Sequence, residues 1–137
     1  MKKQKPILSL DYSELKKRSD KRDEKKWRQE GYDSPIEYKF HKECFKQGLN
    51  LEMQKTISAF RVDFYIEVNN HKLVIELDGS KFHSTNAQIT KDVKRQRYLQ
   101  MMGYTVVRFS GTEINKECKS CVIELKNYIK LLQGVHI

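Results

Sequence analysis

Apolar and polar positions alternate most cleanly from Phe60 to Asp78, FRVDFYIEVNNHKLVIELD. Val62, Phe64, Ile66 and Val68 interleave with Arg61, Asp63, Tyr65 and Glu67, and Leu73, Ile75 and Leu77 interleave with Val74, Glu76 and Asp78. A period of two marks half-buried strands. Asn69-Asn70 between the two arms suits a two-residue turn, because Asn tolerates positive φ. The segment therefore reads as an antiparallel hairpin in which Val68 faces His71. Continued outward, that register sets Asp63 opposite Glu76 and Arg61 opposite Asp78.

Helical signals flank the hairpin. Ser34-Pro35-Ile36-Glu37 combines an N-cap, a proline at the first helical position and an acid at the third. It opens a helix that runs to about Gln47, with Gly48 as its stop and Ile36, Phe40 and Cys44 on its buried side. Leu51 to Thr56 is a short strand. Asn86 to Met102 is a helix with Asn86 as cap and Gly103 as stop, and Gln88, Asp92, Arg95, Leu99 and Met102 share one of its faces. Tyr104 to Phe109 is a further strand, parallel to one hairpin arm because a helix joins them. Ser110 to Glu113 caps a last helix, whose apolar stripe is Ile114, Cys118, Cys121, Val122, Leu125, Tyr128, Ile129 and Leu132.

The resulting class is α/β: a mixed sheet of three or four strands with helices on its faces. At 137 residues this is one core. The division we expect is a basic, partly helical arm over residues 1–30 and a compact domain over 31–137. The arm holds eleven Lys and Arg against six acids, and the whole chain carries +9. Such charge points to a polyanion, nucleic acid before membrane, although residues 1–30 read equally as a solvated helix. No apolar run approaches the ~20 residues that span a bilayer, and no signal-peptide core follows Met1, so the expectation is a cytoplasmic protein. Cys118-Lys-Ser-Cys121 has the spacing of half a zinc site without a second half. Its place in the apolar stripe favours buried free thiols over a zinc-stabilised interaction domain.

Candidate chemistry follows from the register. Opposed side chains lie about 5 Å apart at Cβ, where like charges repel. Asp63 and Glu76 thus need a positive partner: either a divalent cation, or Arg61 or a neighbouring Lys on a solvated acidic pair. Glu37 is either a capping acid or a catalytic one. Asp92 and Arg95 either face the acidic site or form a surface i,i+3 pair. His83, five residues beyond Asp78, has a pKa suited to proton transfer if the loop brings it near.

RVDFYI, then LVIELDG with His83 beyond it, then KDVKRQRYL and GYTVVRF resemble the small nuclease-like domains related to very-short-patch-repair endonucleases. These form the EDxHD branch of the PD-(D/E)XK superfamily. The resemblance spans Ser34 to Ile114. It implies a restriction-endonuclease-like three-layer core and a catalytic set of Glu37, Asp63, Glu76, Asp78, His83, Asp92 and Arg95. Asp63, Glu76 and the backbone at Leu77 would hold Mg²⁺ or Mn²⁺. His83, oriented by Asp92 or Asp78, would move protons, and Arg95 would neutralise the phosphate. Lys81, Lys91, Lys94, Arg97 and Arg61 would hold the nucleic-acid backbone. In one respect the chain departs from the superfamily pattern: Asp78 stands where the usual motif ends in Lys, and Lys81 or Lys91 is a candidate to reach in. The implied function is a metal-dependent DNA endonuclease or nickase, acting as a homodimer or with a partner protein that supplies specificity. The alternative is a nucleic-acid-binding module on the same fold without turnover.

Overall fold

The computed structural model describes residues 26–79 and 85–134. Lys81 and His83 lie outside them. In chain order the elements are α1 (Pro35–Lys46), β1 (Glu52–Met53), β2 (Thr56–Ile57), β3 (Phe60–Arg61), β4 (Phe64–Val68), β5 (His71–Asp78), α2 (Asn86–Met101), β6 (Tyr104–Ser110) and α3 (Gly111–Leu132). The main sheet has the order β1-β4-β5-β6, and β2 and β3 form a separate two-stranded ribbon. β4 runs antiparallel to β1 and β5, and β6 lies parallel to β5.

The sheet is mixed because of how its strands are joined. A two-residue turn can only reverse the chain, whereas the helical connection from β5 to β6 returns it in the same direction. Asn69 and Asn70 sit at φ 46° and 66°, the left-handed values a type I′ turn requires. That turn pairs Val68 with His71 and Phe64 with Ile75, the register expected from the sequence.

Two cores enclose the sheet. On one face Phe64, Leu73, Ile75, Leu77 and Phe109 pack against Phe40 and Cys44 of α1 and against Ile114, Cys121, Val122, Leu125 and Ile129 of α3. On the other, Val62, Tyr65 and Val74 pack with Ile57 and with Leu99 of α2. Leu73, Val74 and Ile75 are each 0% exposed, so β5 is covered on both sides. The layers are therefore helices, sheet and helix, with β5 at the centre. No helix among the described residues is long and apolar enough to cross a membrane.

Several local expectations need correction. The alternation breaks at Val62, which joins the α2-side core while Phe64 joins the opposite one. The cause is that the first arm leaves the sheet at Asp63: Val62 N donates to the Lys55 carbonyl, and the Asp63 carbonyl accepts from Gln54 N. Arg61 consequently pairs with Thr56 in the ribbon and not with Asp78. The expected strand over 51–56 is split by Gln54, at φ 55°. The cap of α2 is Thr85, one residue before Asn86, in a reciprocal box with Gln88. Met102 is 58% exposed and outside the core.

α3 bends at Glu117, where φ and ψ leave the helical region. Carbonyls on either side of the bend are satisfied from α1: Lys39 Nζ donates to that of Asn115 at 2.9 Å and Gln47 Nε2 to that of Lys119 at 3.2 Å. Side chains of one helix thus supply bonds that a kink in its neighbour leaves open.

Because the Asn-Asn turn sets the register, its second residue should control stability. Asn70→Val forces a β-branched side chain into left-handed backbone and should destabilise the fold by about 1–2 kcal/mol, whereas Asn70→Gly should stabilise it slightly. Urea unfolding of the two variants checks both signs.

Candidate functional site

The site forms where the hairpin opens. Since β4 ends at Phe64, the amide of Leu77 meets no backbone acceptor there and donates to Asp63 Oδ2 at 2.8 Å. Asp63 is therefore fixed by the sheet it caps. Glu76, the next residue back along β5, turns its side chain to the same place and is 6% exposed. Glu37 arrives from the first turn of α1, also 6% exposed. Its Oε2 accepts from Asp33 N and from Ser34 Oγ, both at 3.1 Å, while its own N–H donates to Ser34 Oγ at 3.3 Å. The capping role and the site role are thus carried by one side chain.

Three carboxyls now share one environment. Burial, and then the neighbouring Glu37, push Asp63 up to about 6 against the stabilising bond from Leu77 N. Burial, and then the charge of Asp63, push Glu76 up to about 7 although Arg95 opposes the shift. Desolvation of a charged form together with like-charge repulsion has this signature. Arg95 Nη2 lies 2.5 Å from Glu76 Oε1. The same nitrogen also donates to the Arg61 carbonyl at 3.1 Å, so one guanidinium is shared between the buried carboxyl and the backbone.

A second cluster lies beside the first. Arg108 on β6 stands opposite Glu76 in the parallel register. Its guanidinium donates to both Asp78 carboxylate oxygens, at 2.9 and 2.7 Å. It also donates to Asp92 Oδ2 at 2.7 Å and to Gln96 Oε1 at 2.6 Å. The three bonds to Asp78 and Asp92 raise its pKa still further, chiefly through Asp78, and tie both acids to one guanidinium. Asp78 and Asp92, both named from the sequence, are brought together by a residue the sequence reading did not single out. In YTVVRF the arginine reads as an ordinary outward polar position, and only the parallel pairing places it over two acids.

The remaining expected residues scatter. Arg61 forms an exposed ion pair with Asp33 at 3.3 Å, so the positive partner of Glu76 is Arg95 and not Arg61. Lys91, Lys94 and Arg97 are exposed on α2. Lys91 lines a shallow outer surface with Asn86, Ala87, Thr90 and Lys94, so it does not stand in for the motif lysine there. Among the described residues no three His, Cys, Asp or Glu side chains converge as a finished metal cage. The hard oxygens of Asp63 and Glu76, two carboxyls buried side by side, nonetheless suit a divalent cation with waters. Cys44, Cys118 and Cys121 are free thiols, and burial raises Cys44 to about 12 and Cys121 to about 11. These are core thiols rather than thiolate ligands.

Comparison with known proteins agrees with this architecture. An uncharacterized protein of Haemophilus influenzae is 35% identical over 83 residues, 61% of this chain and 66% of that protein's length. The fold is similar to that of the catalytic domain of the homing endonuclease I-Bth0305I, with a TM-score of 0.57 at 17% identity, covering 72% of this chain and 95% of that domain. The signature of the restriction-endonuclease-like family REase_MTES_1575 matches residues 36–129, well over half of the chain, and the chain belongs to that family.

Proposed function

We propose that the protein is a divalent-metal-dependent DNA endonuclease or nickase of the very-short-patch-repair-like EDxHD branch. The observation that carries this reading is the meeting of Asp63 and Glu76 at the open end of the hairpin, both held well above the usual carboxylate range. A buried acidic pair with one arginine between its two charges is costly unless a further cation resolves it. Asp63, Glu76 and the Leu77 carbonyl would hold Mg²⁺ or Mn²⁺. When bound, such an ion polarises a phosphate and acidifies water.

The chain's own groups divide the remaining work. Glu37, anchored by Asp33 N and Ser34 Oγ, stands beside Asp63 and raises its proton affinity in the absence of cation. Arg95, held by the Arg61 carbonyl, presents positive charge beside Glu76 where a phosphate would approach. His83 is the acid or base offered by the sequence. Arg108 fixes Asp78 and Asp92, its two candidate orienters. Lys91, Lys94 and Arg97 form a basic flank for the nucleic-acid backbone. A homodimer or partner protein would supply specificity.

The second reading, a binding module without turnover, is supported by Arg95, which already gives Glu76 a built-in counter-charge. Plasmid nicking with Mg²⁺, Mn²⁺ and EDTA separates the two. The parent protein should cut with metal and not with EDTA, and Asp63→Asn and Glu76→Gln should each lower the rate by at least about 10³-fold. DNA binding with no cleavage by the parent in either metal would establish the second reading instead.

The acids also set a pH dependence. Asp63 and Glu76 titrate near 6 and 7 when folded, above the ordinary 3.8 and 4.5. The folded state therefore keeps protons that the unfolded chain has lost. The stability from these groups is fully present below about pH 4 and is lost as pH rises through about 6 to 7. In EDTA, Tm should fall across this window, and Mg²⁺ should restore it at pH 8. Glu76→Gln should flatten the profile and stabilise the metal-free protein at pH 8 by roughly 2 kcal/mol, several degrees in Tm. Thermal denaturation from pH 4 to 8, with and without Mg²⁺, reads all three effects.

A further inference from the structure

A second concave surface lies outside the acidic site. It is a cleft of about 980 Å³ between the outer face of α1 and the first half of α3. Pro35, Tyr38, Lys39, Lys42, Glu43 and Lys46 line it from α1, and Asn115, Cys118 and Lys119 from α3. These α1 positions recur every three or four residues, opposite the face that buries Phe40 and Cys44. Trp27 closes one end.

The lining carries four lysines against one acid. Lys39 is committed to the Asn115 carbonyl, and Lys42 is shared with Glu30 at 3.2 Å in an exposed ion pair that a phosphate can compete for; with Lys46 and Lys119 it completes the set that can hold a ligand. Lys42 also lies 5.3 Å from the Tyr38 ring, so cation and aromatic face are offered together. Trp27, 9% exposed, also lines the cleft.

We infer that this cleft binds a single strand of nucleic acid, with backbone phosphates on Lys42, Lys46 and Lys119 and a base against Tyr38. Basic grooves with interleaved aromatics hold single strands in this way. The inference rests on nucleic acid being the substrate class, as proposed above, and not on cleavage.

Trp27 is the chain's single tryptophan, so its fluorescence reports on this cleft. The test is to titrate the full chain in EDTA with a fluorescein-labelled oligothymidylate of about 12 nucleotides, within the footprint of such grooves. Binding should saturate, quench Trp27, and depend on salt. The triple variant Lys42→Ala, Lys46→Ala, Lys119→Ala should lose at least tenfold in affinity, and its log–log salt slope should drop by about 2, at ~0.7 per phosphate contact. Tyr38→Leu should lose affinity at unchanged slope. These side chains are outside the core, and an unchanged Tm would confirm folding. Duplex binding and nicking by the triple variant should stay within threefold of the parent. Oligothymidylate affinity within twofold of the parent would overturn the inference, as would an equal loss of duplex binding or equal displacement by inorganic polyphosphate. None of these outcomes depends on whether the protein cuts DNA.

Discussion

Everything at the site depends on one amide that has no strand to pair with. The pairing of the two hairpin arms stops at Phe64 and Ile75, three residues before the end of β5, and the Leu77 N–H turns to the Asp63 carboxylate at 2.8 Å. A side chain replaces the missing ladder acceptor, so Asp63 is held as rigidly as backbone. Glu76, one residue away, is then committed to the same small volume by the alternation of β5. The two-residue turn, the early exit of β4 and the buried centre of the sheet together force the carboxyls into each other's field. None of the three requires catalysis, yet their sum is a place where positive charge is wanted.

The protein meets that need unevenly. Asp78 and Asp92 receive directed bonds from Arg108. Glu76 has Arg95 against one oxygen, and that arginine is shared with the Arg61 carbonyl. One side of the site is thus a closed ion-pair network and the other an open one. The open side is where a ligand can still be accommodated, and it includes Glu37, tethered to the start of α1 by two hydrogen bonds.

Much of this was legible in the sequence. Asn69-Asn70 and the period of two gave the hairpin and its register, and with them the opposition of Asp63 and Glu76. The Ser34 and Ser110 caps, Gly48 and Gly103 marked helix limits correctly, and the stripe from Ile114 to Leu132 identified the core face of α3. What could not be read depended on long-range geometry. Arg61 looked like the partner of Asp78 because alternation was extended past the point where the chain bends into the ribbon with Thr56. Arg108 was hidden because its partners lie 30 and 16 residues away, joined only by the parallel pairing of β5 and β6. Glu37 was ambiguous because local pattern shows a cap and cannot show what a cap also touches.

Arg108 has one more effect, arising from the position of β6. Among the described residues β6 pairs only with β5 and forms the rim of the sheet, seven residues of extended chain with one side of its backbone unmatched. A bare rim of this length would template the accretion of other chains. Here a charge held by two acids sits in the middle of the rim, and an incoming strand would have to bring its own side chains up against it. The same guanidinium that orders the acids thus makes the border of the sheet a poor seed for aggregation.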